Sequence, residues 1–185
     1  FARYKFRGQN ISYGAIMIPF LIPEIILAVA ILVIWLSLGF KLGLVPVTLG
    51  HILFCTPFAM LILIARIEGF DFSLEEASRD LGENAWGTFY RVSLPLYLPG
   101  IIASLLLSFI ISFDEFVLAF FLTGSDATLP MYMWAQMRFI QKLPHVLALG
   151  AVIIVFTTFI VLLAFWLRNL GQGKEKAEFG IKIHE

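Results

Sequence analysis

Leu143–Leu167, LPHVLALGAVIIVFTTFIVLLAFWL, holds no Asp, Glu, Lys or Arg. About 20 apolar residues cross the hydrocarbon core of a bilayer, so this run is long enough to span one as a single helix. Outward from it the pattern repeats. Val92–Phe113 and Leu42–Ala65 are equally free of charge, and Ile11–Leu38 is interrupted only by Glu24. None of these runs shows the period-2 alternation of a membrane barrel. The expected fold is therefore all-α, a polytopic transmembrane helical bundle with spans over about 12–38, 46–66, 94–122 and 145–168. Pro19 and Pro23 in the first span, and Pro95 and Pro99 at the start of the third, predict bends, because proline removes a backbone donor.

Composition agrees. The chain has 185 residues, 60% hydrophobic and 14% charged, with a mean hydropathy of +0.92. Soluble domains run at about 45–50% apolar and about 25% charged. Such a chain has too much apolar surface to remain disordered. A single cysteine, Cys55, excludes a disulfide scaffold. His51, His145 and His184 stand apart in sequence, without metal-ligand spacing. Thirteen basic against thirteen acidic residues leave no nucleic-acid footprint. Gly173-Lys174 is followed by Glu175 and lacks the upstream glycine of a phosphate-binding loop, so the chain does not bind ATP in that way.

Basic residues set the orientation. Arg3, Lys5, Arg7, Arg66, Arg79, Arg91, Arg168, Lys174, Lys176 and Lys182 fall on one side of the spans, and Lys41, Arg138 and Lys142 on the other. The richer side is expected to be cytoplasmic, with both ends of the chain, the 67–93 loop and the 169–185 tail. The outer side holds a turn near 39–45 and a longer segment, 123–144. Within it, Leu129–Gln141 combines Tyr132, Trp134 and Phe139, and predicts a short helix along the outer face.

Three acids lie within the spans: Glu24, Asp114 and Glu115. An ionisable group there costs at least about 2.5–3.5 kcal/mol on insertion scales and by default marks a pathway. At 1.5 Å per residue, Glu24 lies about 20 Å from the inner end of its span and Asp114 about 22 Å from Pro99. Cationic cargo entering from outside would meet them. The alternative roles are structural: a hydrated outer pair for Asp114 and Glu115, and a kink-stabilising carboxyl for Glu24. On a continuous helix Asp114 and Glu115 point about 100° apart, so one of them at most faces a path squarely.

The stretch Phe70–Pro99, FDFSLEEASRDLGENAWGTFYRVSLPLYLP, is too patterned for a passive connector. Ser73 and Glu76 have capping-box spacing. Leu74, Ala77, Ser78 and Leu81 form one apolar-to-small face, Gly82 fits a left-handed stop, and Asn84 caps a second helix bearing Trp86, Phe89 and Tyr90. Two short helices at a glycine hinge predict a docking surface for another protein. A hairpin on the lipid headgroups is the alternative. Against it, the acids Glu68, Asp71, Glu75, Glu76, Asp80 and Glu83 outnumber Arg66, Arg79 and Arg91, which suits an anionic leaflet poorly.

This loop resembles the "EAA" signature of binding-protein-dependent ATP-binding cassette (ABC) transporter permeases, E-A-A-x3-G-x9-I-x-L-P. Here the motif is Glu76, Ala77, Ser78 in place of the third Ala, Gly82, Val92 in place of Ile, Leu94 and Pro95, with the spacing kept throughout. The resemblance extends over essentially the whole chain. It is closest to permeases of the spermidine/putrescine type through Gly69-Phe70-Asp71, Ser112 to Phe116, Thr123-Gly124 and Leu129-Pro130. It implies a type I importer fold and a bacterial inner-membrane location. It also implies that Glu76, Ala77, Ser78, Gly82 and Trp86 couple to an ATPase, and that polyamine or another small organic cation passes Asp114, Glu115 and Glu24. Implied partners are a pair of ABC ATPase subunits, which hold the ATP and Mg²⁺, a second permease subunit and an external substrate-binding protein. Such permeases usually have about six spans, so two more are expected ahead of Phe1, where the sequence opens without Met. Three other readings stand beside this one: an ABC permease for a different solute, an ion-coupled secondary transporter using Glu24 and Asp114, and a membrane scaffold.

Overall fold

The computed structural model describes residues 1–2 and 5–181, with residues 167–181 as backbone. Arg3, Lys182 and the end of the 169–185 tail lie outside the described residues, as do the side chains of Arg168, Lys174 and Lys176. All the described secondary structure is helical. The helices are α1 (Gln9–Leu21), α2 (Glu24–Ser37), α3 (Leu44–Glu68), α4 (Ser73–Asp80), α5 (Ala85–Thr88), α6 (Leu94–Asp114), α7 (Val117–Leu122), α8 (Leu129–Gln136) and α9 (Leu143–Ile181). Among the described residues, three stretches are each long and apolar enough to cross a membrane: Leu44–Glu68, Ala85–Asp114 and Ile140–Trp166.

Two of the predicted spans are not continuous. The first breaks into α1 and α2, which meet at 108°. Ile22 precedes Pro23, whose ring disfavours helical geometry at the residue before it, and Ile22 is extended at φ −84°, ψ 134°. Pro23 then opens α2, its carbonyl accepting from Ile26 and Leu27 N–H at 2.9 and 3.1 Å. The third breaks after Asp114. Glu115 is extended, with ψ 111°, and its Oε1 accepts the Leu118 N–H at 2.9 Å, starting α7 afresh.

The second short helix of the loop does not stop before the third span. Pro95 has no N–H, so the Arg91 carbonyl lacks its donor one turn on. The backbone widens into a π turn over Phe89–Ser93, closed by Leu94 N–H to Phe89 O. α5, the π turn and α6 thus form one 30-residue helix, Ala85–Asp114.

Ala28 of α2, Val47 of α3 and Leu118, Ala119 and Leu122 of α7 form the buried core. Beside it, α3 and α6 pack along a polar seam. His51 Nδ1 meets Ser112 Oγ at 2.8 Å, Cys55 Sγ points at Ser108 O at 3.6 Å, and Ser104 Oγ donates to Ala59 O at 3.4 Å. The paired positions advance by four residues on each helix, in opposite directions. Without a hydrophobic force between helices in lipid, small polar residues that admit close approach and bond across are what hold them. His51, apart from other ligand types in sequence, is thereby a member of this seam. The outward surface of α9 is apolar: Val152, Ile154, Val155 and Phe159 are all mostly exposed on the isolated chain, as lipid or partner contact requires.

Candidate functional site: a docking loop and a carboxyl pair at two helix breaks

α4 begins at Ser73, but not through the predicted capping box. Ser73 is already helical and makes no cap bond. Asp71 instead accepts the Ser73 N–H at 3.0 Å, and the bonds from the Ser73 hydroxyl and N–H hold the Asp71 carboxyl below the usual range. A short side chain two residues upstream reaches this N–H with less distortion than a reciprocal box. Glu76 therefore stays in the first turn, exposed, where the helix dipole favours its charge. Gly82 closes α4 in the left-handed region at φ 90°, which costs a residue with a Cβ about 1–2 kcal/mol. Asn84 caps α5, accepting the Gly87 N–H at 2.8 Å.

The face grouped from sequence as Leu74, Ala77, Ser78 and Leu81 divides. Ser78 turns inward, its Oγ 3.2 Å from Thr88 Oγ1. Ala77 and Leu81 point outward, Leu81 88% exposed, with Leu74 at the margin. Trp86 is 71% exposed and stacks on Tyr90 at 5.9 Å. The outward surface therefore joins Ala77, Leu81, Trp86 and Tyr90 around Gly82, with Glu76 beside them on α4. Glu83 pairs with Arg91 and braces this surface from the side.

Glu75 was not singled out from sequence. It is 3% exposed and accepts from Ser93 Oγ at 2.6 Å. The signal was present, because Glu75 and Ser78 stand at i, i+3, on one face of α4. A buried carboxylate needs such bonds. Ser78–Thr88 and Glu75–Ser93 therefore fasten α4 to the helix that becomes the third span.

The second constellation lies at the two breaks. Glu115 is 7% exposed. Glu24, first residue of α2, lies close to Glu115. Residues 91 apart in sequence meet because each break places an acid at a helix end. Asp114, the last residue of α6, is exposed on this chain, so the break, not 100° helical spacing, separates the two neighbours. Aromatic residues flank the acids of the second break in sequence: Phe113 stacks on Phe109 at 5.6 Å, and Trp134 of α8 packs on Phe116 at 5.9 Å and Phe120 at 5.4 Å. The helix predicted over Leu129–Gln141 ends at Gln136 and is followed by a 3₁₀ turn, Ile140–Lys142. Arg138 lies over the Trp134 ring, 4.2 Å from its centroid. Among the described residues, no group of His, Cys, Asp or Glu is arranged to hold a metal.

Helical structure throughout the described residues, with spanning segments, two broken helices bearing acids and an exposed apolar face on α4 and α5, defines a multi-pass membrane protein of the transport class. The chain belongs to the family described as the binding-protein-dependent transport system inner membrane component, which matches residues 1–173. It is 33% identical over 179 residues to the spermidine/putrescine transport system permease protein PotC of Escherichia coli (strain K12), covering 96% of this chain and 66% of that one. The putrescine transport system permease protein PotI of the same strain is 33% identical over 141 residues, covering 72% and 50%. The molybdenum transport system permease protein ModB of Haemophilus influenzae is 29% identical over 196 residues, covering 93% and 85%. The chain thus spans about two thirds of PotC and half of PotI.

Proposed function

We propose that this chain is a transmembrane permease subunit of an ATP-driven, binding-protein-dependent importer, and that its cargo is a small organic cation of the polyamine class. The observation that carries the reading is the outward surface of Ala77, Leu81, Trp86 and Tyr90 around a left-handed Gly82, outside the spans and internally fastened. A surface of this kind exposes apolar area that a partner must cover. In this reading the partner is an ABC ATPase dimer, and Glu76, Ala77, Gly82 and Trp86 meet it, while Ser78 acts from beneath by holding α4 in place. ATP and Mg²⁺ sit in that partner. A second permease subunit completes the path, and an external binding protein delivers cargo to the outer face near α8. The 67–93 loop and both ends of the chain face the cytoplasm of a bacterial cell, with the inner membrane as the site of action.

The chain performs no covalent chemistry. Its work is to offer a path with two states, biased by nucleotide in the partner through the loop. Glu115 and Glu24, with Asp114 alongside, meet the ammonium groups of cargo, and Phe113 and Phe116, which flank Asp114 and Glu115 in sequence, offer π faces to the same cations. The similarity to a molybdenum permease makes an oxyanion the competing cargo. Three carboxyls around two helix breaks repel an oxyanion, and so favour the cation. The test is purification of the complex from native membrane, followed by ATP-driven uptake of spermidine against molybdate in proteoliposomes. Spermidine uptake without molybdate uptake is expected. Uptake of neither cation nor anion with ATP, or the absence of an ATPase subunit from the complex, would remove this reading.

A further inference from the structure

One side chain joins the inner ends of α3 and α6 and belongs to neither constellation. Arg66, in the last turn of α3, sends Nε and Nη2 to the carbonyl oxygen of Leu96, at 3.3 and 3.0 Å. Its stem lies against Gly100. A Cβ placed on Gly100 would stand 2.6 Å from Arg66 Cγ and 3.0 Å from Arg66 Cβ. Leu96 and Gly100 are one turn apart on α6. The arginine therefore clasps that turn, its fork on the carbonyl and its stem in the notch that the missing side chain leaves.

The position of the clasp matters because of the π turn. Phe89–Ser93 is the soft part of the long helix, since π geometry interrupts the regular ladder. Three ties from the preceding chain bracket it: Ser78 to Thr88 before it, Glu75 to Ser93 at its end, and Arg66 to Leu96 beyond it. Together they splint the turn. The far end of the same helix is Asp114, about 45 Å from Ala85 at 1.5 Å per residue, and there Glu115 meets Glu24.

We propose that Arg66, seated on Gly100, is a positioning residue for energy coupling. It locks the 67–93 loop to α6, so that a displacement of the loop reaches the Glu24–Glu115 site instead of being absorbed at the π turn. This rests on the reading of the loop as the ATPase dock. The guanidinium suits the task because two of its N–H groups grip one backbone oxygen in a fixed fork.

The experiment uses the full-length protein in its complete complex, in proteoliposomes, with spermidine uptake and ATP hydrolysis measured together. Arg66→Ala and Gly100→Ala are each expected to lower the uptake per ATP hydrolysed by about tenfold, with hydrolysis within about twofold of wild type. Arg66→Lys, which keeps one donor for the Leu96 carbonyl, should recover at least a third of the wild-type ratio. The double variant Arg66→Ala/Gly100→Ala should be little worse than Arg66→Ala, because the truncation removes the 2.6 Å contact with Cγ and leaves only the 3.0 Å contact with Cβ. If Arg66→Ala does not assemble, Gly100→Ala decides, since it keeps the arginine and disturbs only its seat. An unchanged ratio in Gly100→Ala, additive losses in the double variant, or an Arg66→Lys no better than Arg66→Ala would each overturn the clasp. A wild-type complex lacking ATP-driven uptake would overturn the clasp together with the reading beneath it.

Discussion

Glu115→Gln separates charge from scaffold at the carboxyl pair. The amide keeps the size of the side chain and an oxygen that accepts the Leu118 N–H, now bonded at 2.9 Å, so α7 should still start at Val117. On the cationic-cargo reading, what disappears is the group that offers a negative charge to the cargo. Two unit charges at about 4 Å attract by about 4 kcal/mol at an effective dielectric constant of about 20. Stripping water from both ions offsets most of that, leaving about 1.5–3 kcal/mol for a hydrogen bond to a charged group. Loss of that bond corresponds to about 10- to 150-fold in cargo affinity. Spermidine uptake by the reconstituted complex should therefore fall at least about tenfold in Glu115→Gln. Asp114→Asn should do less, because Asp114 is exposed on this chain and holds no comparable position. Glu115→Ala should be worse than Glu115→Gln, since it also removes the acceptor for Leu118. Complex assembly and basal ATP hydrolysis should survive Glu115→Gln, the docking loop being untouched. Unchanged uptake in the double variant Glu24→Gln/Glu115→Gln would refute the reasoning: the carboxyls would then be fold elements, and the charge argument for a cationic cargo would be gone.

Other outcomes follow from the same geometry. Gly82→Asp should leave the chain in the membrane but uncouple ATP hydrolysis from uptake: φ 90° strains any L residue by about 1–2 kcal/mol and shifts the hinge between the docking helices; normal transport would sink the docking reading. A cysteine placed at Ser125 should react with an impermeant reagent from outside, and one at Asn84 only from inside; external labelling at Asn84 would reverse the orientation. Ser112→Ala removes the partner of the half-buried His51 Nδ1 and should destabilise the purified protein by about 0.5–1.5 kcal/mol, the net worth of one hydrogen bond, read as a lower unfolding midpoint in detergent. An unchanged midpoint would show that the seam does not hold α3 to α6.

The charge-free runs placed the helices, because in lipid every backbone N–H and C=O must be bonded internally, as a helix does within one segment. The stops were equally local: Gly82 and Asn84 act through their own backbone and side-chain geometry, and both occupy the roles their residue types predict. The breaks were half legible. Pro23 announced a bend, but its 108° turn depends on what α1 and α2 pack against. The break at Glu115 has no proline. It exists because a buried carboxylate satisfies itself by accepting a backbone N–H that a continuous helix would have used.

Legible in the chain's composition and periodicity were an all-helical membrane protein, the patterned 67–93 loop and the three acids that fall within apolar runs. Periodicity and composition act over one or two helical turns, and those features live on that scale. Which of these residues meet depended on how the helices pack. Packing brought Glu24 to Glu115 and set His51 and Cys55 of α3 against Ser112 and Ser108 of α6. It also turned Glu75 and Ser78 inward while leaving Leu81 and Trp86 bare. The Ser104, Ser108, Ser112 spacing marks one face of a helix. That spacing does not name the facing helix, because in lipid the choice of neighbour rests on close packing and on bonds between residues far apart in the chain.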